Sequence, residues 1–145
     1  MRITRWVSLI ERCGAEFRKA EFEDLGLCSC NHMYIFYLCH HPGTNQDELS
    51  KMLHLNKSNV TRSLQKLESD GFVTREIDSS DKRMIRVYPT KKATEVLPKI
   101  IEKLNCWNEM ILEDISEEEK VLLNNLLEKI SRRACQKTNQ MYHNE

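Results

Sequence analysis

A helix with only one apolar face constrains this chain most. In residues 56–71, NKSNVTRSLQKLESDG, the apolar side chains Val60, Leu64 and Leu67 recur at i, i+4 and i+7, the spacing of one stripe on an α-helix. The opposite face is polar: Lys57, Ser58, Asn59, Thr61, Arg62 and Gln65. Asn56 stands where a side-chain oxygen can cap free amides, and Gly71 where a helix stops. So narrow a stripe can bury the helix on one side only. The other side must meet water or a polar partner.

The flanking segments narrow that choice. Upstream, Asn45 and Glu48 have the spacing of a capping box, ELSKML (48–53) is a short helical body, and His54-Leu55 make a turn. Downstream, FVTREI (72–77) and MIRVYP (84–89) read as two strands of a hairpin. Two short helices joined by a turn have helix-turn-helix order, and the hairpin makes the unit a winged helix. The N-terminal end of a recognition helix reads base edges in the major groove. Arg62 suits guanine, Asn59 suits adenine, and Ser58 and Thr61 adapt to either. Lys57 and Lys66 suit phosphates, which carry affinity rather than sequence information. A lone helix of this kind would read as an ordinary solvated surface. The Arg-rich hairpin beside it favours DNA.

The hairpin tip, SSDKR (79–83), is expected to reach the adjacent minor groove, with Arg83 as the inserted side chain. Asp81 repels phosphate, so its expected work is internal: accepting hydrogen bonds at the tip, or from Arg75 or Arg83, to hold the wing. Arg86 lies deeper in the strand, where it suits a phosphate or a structural contact.

Net charge is zero, but residues 56–92 carry nine basic side chains against five acidic ones, a net +4. With 22 of each sign in the whole chain, the remainder carries −4. A neutral total thus conceals a basic segment. Ile3, Trp6, Val7, Ile10 and Phe17 keep a helical period through the first 20 or so residues, closed by FEDLGL. NHMYIFYLCHH (31–41) is a second helix ending at Pro42-Gly43. A fifth helix is expected from Thr90 to about Asp114. Ser116 and Glu119 cap a sixth with the stripe Val121, Leu122, Leu126, Leu127 and Ile130.

The expected fold is therefore mainly α with a small β-hairpin. One domain spans residues 1–145: a winged helix-turn-helix lobe over about 28–90, flanked by long dimerisation helices over about 1–25 and 91–140. No apolar run has membrane-spanning length. The first residues mix charges among apolar positions, unlike a signal peptide. A cytoplasmic protein is expected. Four glycines form no phosphate loop, and no nucleophile elbow is present, so neither an enzyme nor a cofactor is expected. The six cysteines read as mainly reduced thiols. Cys28, Cys30 and His32, with Cys39, His40 and His41 nearby, lack the spacing of a closed zinc site, and no metal is expected.

The sequence resembles the MarR (multiple-antibiotic-resistance regulator) family over nearly its whole length. NVTRSLQKLESDGFVTR and the Asp81-x-Arg83 wing followed by Thr90 carry the likeness most specifically. Pro89 departs from the family's usual leucine, and Cys28 from a frequent threonine cap. The resemblance implies a homodimer on pseudo-palindromic operator DNA, usually a repressor, released by a small molecule or by thiol oxidation. It places Trp6, Ile10, Cys13, His32, Tyr34 and Phe36 near the ligand pocket. Peroxide-sensing relatives carry a reactive cysteine broadly where Cys13 stands, and Cys28 lies near a helix N-terminus that can lower a thiol pKa. Zinc-responsive relatives use histidines after the wing, and this chain has none between His54 and His143. The alternative is a winged-helix module that binds protein without reading DNA. Such a module would not need Asn59, Arg62 and Arg83 on one face.

Overall fold

The computed structural model describes residues 2–28 and 30–142 of the chain. In order it contains α1 (Ile3–Glu21), α2 (His32–His40), β1 (Thr44–Asn45), α3 (Gln46–Met52), α4 (Lys57–Ser69), β2 (Val73–Ile77), β3 (Ile85–Pro89), α5 (Lys91–Ile111) and α6 (Glu117–Tyr142). It divides into two compact units, Met1–Trp107 and Asn108–Glu145.

The first unit holds a winged helix-turn-helix. Val60, Leu64 and Leu67 of α4 are fully buried, as the i, i+4, i+7 stripe requires. They meet Tyr34, Ile35 and Leu38 of α2, Leu49 of α3, Phe72 just before the sheet, and Val73 and Val87 within it. Burying each such side chain contributes about 1.5–3 kcal/mol. Asn45 closes its capping box with Glu48, and Asn56 accepts the Asn59 amide at 2.8 Å. His54 takes the turn between α3 and α4 at φ 51°.

The hairpin has a third strand that alternation did not reveal. β1 pairs antiparallel with β3, Thr44 opposite Val87 and Asn45 opposite Arg86, so the order is β1-β3-β2. Two residues cannot display a period of two, and Asn45 also caps α3. α5 begins at Lys91, one residue later than expected, because Thr90 is its cap. The Thr90 hydroxyl donates to Gly71 O at 2.7 Å and receives the Ala93 amide at 3.4 Å. α5 runs through Pro98 and stops at Ile111, short of Asp114.

α1 packs on α5 within this unit. The rings of Phe17 and Trp107 lie 5.0 Å apart, beside buried Gly14, and Lys103 reaches Glu21 at 2.8 Å. In the second unit Ser116 and Glu119 form the expected reciprocal cap of α6. Val121, Leu122, Leu126, Leu127 and Ile130 are exposed. No helix among the described residues is long and apolar enough to cross a membrane.

Candidate nucleic-acid interface

α4 presents its polar residues on the side away from the core, but they are not equally available. Asn59 and Arg62 are exposed, and among the described residues no hydrogen bond or ion pair engages either side chain. Ser58 Oγ donates to the Asn56 cap at 2.8 Å, which leaves its lone pairs as acceptors. Thr61, expected to project outward with its neighbours, is instead half-buried. Its hydroxyl donates to Lys57 O at 2.8 Å and accepts from Gln46 Nε2, tying α3 to α4. Lys57 Nζ lies 3.0 Å from Asp47, and Lys66 Nζ 2.9 Å from Asp70. The bond to Asp70 raises the Lys66 pKa. Both lysine pairs are exposed, where such pairs contribute little.

The wing is organised by a residue that the sequence reading passed over. Asp78 Oδ1 accepts from Ser80 N at 2.7 Å, Ser80 Oγ at 2.5 Å and Asp81 N at 3.0 Å. Its Oδ2 accepts from Arg86 Nε. The Ser80 hydroxyl, then Arg86, hold the Asp78 carboxyl well below the usual carboxylate range. Arg86 Nη1 also donates to Gly43 O at 2.9 Å, so of its two expected roles Arg86 takes the structural one. Among the described residues the Asp81 carboxylate accepts one bond at the tip, from Arg83 N at 3.0 Å. Arg75 turns to Glu68 on α4 rather than to Asp81, with Nε and Nη2 at 2.9 and 2.5 Å. The Asp-Ser-Ser order was the available signal for Asp78, since an Asp side chain there can bond to amides two residues on. The Arg83 side chain is exposed and unengaged among the described residues.

The residues expected around a ligand pocket stand on α1 and α2. Tyr34 is buried, and burial raises its pKa. It lines a cavity of about 270 Å³ with Cys30, Met33, Leu55, Asn59, Arg62 and Ser63. Phe36 is exposed against His40, ring centroids 4.6 Å apart, and His32 packs on Phe22 at 5.4 Å. Trp6, Ile10 and Cys13 lie exposed on α1. Cys13 and Cys28 are free, exposed thiols.

The MarR family model matches residues 31–85, from the start of α2 into the wing. The HTH-type transcriptional regulator BilQ of Clostridium symbiosum is 30% identical over 116 residues, 80% of this chain and 81% of that protein. The MarR protein from Peptoclostridium difficile DA00132 is 31% identical over 97% of this chain and 92% of its own, with a TM-score of 0.93. A putative MarR family transcriptional regulator from Listeria monocytogenes, solved with 26mer DNA, covers 100% of this chain and 97% of its own at a TM-score of 0.90. Its 22% identity makes that a likeness of fold.

Proposed function

The chain belongs to the MarR family of transcriptional regulators, and on that premise we propose that it is a cytoplasmic repressor whose homodimer binds pseudo-palindromic operator DNA and is released by a small ligand or by thiol oxidation. The observation that carries the DNA reading is the N-terminal half of α4. Its apolar stripe is fully buried, while Asn59 and Arg62 face outward with no intramolecular partner described. Arg62 can pair with guanine O6 and N7, and Asn59 with adenine N6 and N7. Ser58 offers acceptors. Thr61, its hydroxyl committed, offers its methyl to a thymine methyl. Lys57 and Lys66 exchange weak surface pairs for phosphates, and counterion release drives that exchange. Arg83 enters the minor groove beside α4, with Arg75 and Asp81 fixing the wing that carries it. The Listeria neighbour bound to 26mer DNA supports this use of the fold.

Selection of bound duplexes from a random-sequence pool tests the reading. It predicts convergence on two inverted half-sites about one helical turn apart. Retention of every duplex equally, or of none, overturns it. For release, the free thiols of Cys13 and Cys28 are the oxidation candidates. Hydroperoxide treatment should then lower affinity for the selected duplex, and Cys13→Ser or Cys28→Ser should abolish that response. An undiminished response in the double variant removes both thiols from the mechanism.

A further inference from the structure

We propose that Asp78 is the positioning residue of the wing, locking the tip that carries Arg83 to the root of the helix-turn-helix through Arg86 and Gly43. The inference rests on the reading that the wing meets DNA. It assigns a role to a residue that itself touches none.

The two carboxylate oxygens of Asp78 do different work. Oδ1 gathers three donors from the tip: the Ser80 amide, the Ser80 hydroxyl and the Asp81 amide. Oδ2 takes Arg86 Nε from the neighbouring strand. Arg86 then donates to Gly43 O at 2.9 Å, and Gly43 N donates to Val87 O at 2.9 Å. Gly43 immediately precedes β1 and α3, so one side chain joins the tip, β3 and the entry to the helix-turn-helix. The other edge of the wing is tied separately, Arg75 of β2 to Glu68 of α4. With both edges held, Arg83 is offered at a fixed place relative to Asn59 and Arg62, and little tip entropy remains to be lost on binding. Asp78 is only 7% exposed, a placement for holding the loop rather than for meeting solvent or phosphate. The same donors depress its pKa, so its carboxyl stays ionised well into the acid range.

A purely electrostatic account predicts the opposite outcome. Removing a carboxylate from a DNA-binding lobe should tighten binding; removing a positioning residue should weaken it. The oxygens can also be separated. Asp78→Asn can keep an acceptor toward Ser80 and Asp81 but sets an amide nitrogen against Arg86, whereas Asp78→Ala loses both sides.

The experiment uses the full chain as wild type, Asp78→Ala, Asp78→Asn and Asp81→Ala. Amide hydrogen exchange of residues 80–84 is followed without DNA. Each protein is then titrated at two salt concentrations with a duplex selected by the wild type and with a random duplex. Asp78→Ala should speed tip exchange by about tenfold or more and bind the selected duplex about tenfold more weakly, with an unchanged salt slope because no phosphate contact is lost. Asp78→Asn should keep most tip protection yet bind with intermediate affinity. Asp81→Ala, which gives up one tip bond, should do less than Asp78→Ala. Unchanged tip exchange, or unchanged or tighter binding by Asp78→Ala, overturns the proposal. If Asp78→Ala does not fold, Asp78→Asn decides it by binding: weaker binding of the selected duplex upholds the proposal, and unchanged or tighter binding overturns it. If the wild type selects no duplex, the DNA reading fails on its own, and tip exchange still upholds or overturns the lock.

Discussion

Side chains that look equivalent in the sequence of α4 are divided by what already engages them. Arg62 has no described partner, so a base edge gains its full hydrogen-bonding capacity. Lys66 already pairs with Asp70 and must exchange that carboxylate for a phosphate. Arg62→Ala should therefore cost about 1–3 kcal/mol of binding to the selected duplex and relax base preference at one position in each half-site. Lys66→Ala should weaken selected and random duplexes alike and lower the salt slope by about one. Fluorescence anisotropy at several salt concentrations reads both. Equal losses on both duplexes for both variants would show the assigned roles to be wrong. Arg83 belongs to the same argument. No side-chain contact within the described fold depends on it, so Arg83→Ala should cut affinity without moving the thermal midpoint. Arg83→Lys should recover only part of the loss, because a compact, strongly hydrated ammonium suits a narrow minor groove less well. A large drop in midpoint would make Arg83 structural instead.

Among the elements, the turn into β1 is the one whose backbone can least tolerate change. Gly43 sits at φ 81°, and a Cβ there would lie 3.1 Å from the Tyr88 ring. Its carbonyl also receives Arg86. Gly43→Ala combines left-handed strain with a ring clash and a displaced acceptor, so urea unfolding should show a loss of about 1–3 kcal/mol. A neutral effect would mean that β1 shifts freely. This is also where sequence legibility ended. The capped ends of α3, α4 and α6 were readable because one side chain within four residues decides each of them. The α4 stripe was readable because its period spans three turns. β1 was not, since its pairing is decided by Val87 and Arg86, about forty residues away. Gln46 and Asp78 were missed for a similar reason. A polar side chain at a helix start or in a loop has many possible partners, and only the assembled fold shows which ones it meets. Thr61 shows the limit from the other side: its position on α4 was right, yet Gln46 had already claimed its hydroxyl.

For the whole molecule, the decisive fact is how much apolar surface the single chain leaves uncovered. On α1, Ile3, Trp6, Val7 and Ile10 are 38–55% exposed, and on α6 Val121, Leu122, Leu126, Leu127 and Ile130 are 44–62% exposed. Monomeric proteins rarely expose continuous patches of such residues. Nine of these side chains per chain make eighteen in a pair. Covering the roughly half of each that remains open would contribute roughly 14–27 kcal/mol, against about 4–15 kcal/mol of association cost. A second copy is the occupant that a two-fold operator requires, since one lobe reads one half-site and two lobes read an inverted repeat. Light scattering should therefore give about twice the 17.2 kDa chain mass. Leu126→Glu, which sets a charge in the α6 stripe, should shift the protein toward monomer and abolish half-site cooperativity while the lobe stays folded by circular dichroism. A wild-type chain that remains a stable, folded monomer at micromolar concentration would remove the dimer, and with it the reason for an inverted-repeat operator.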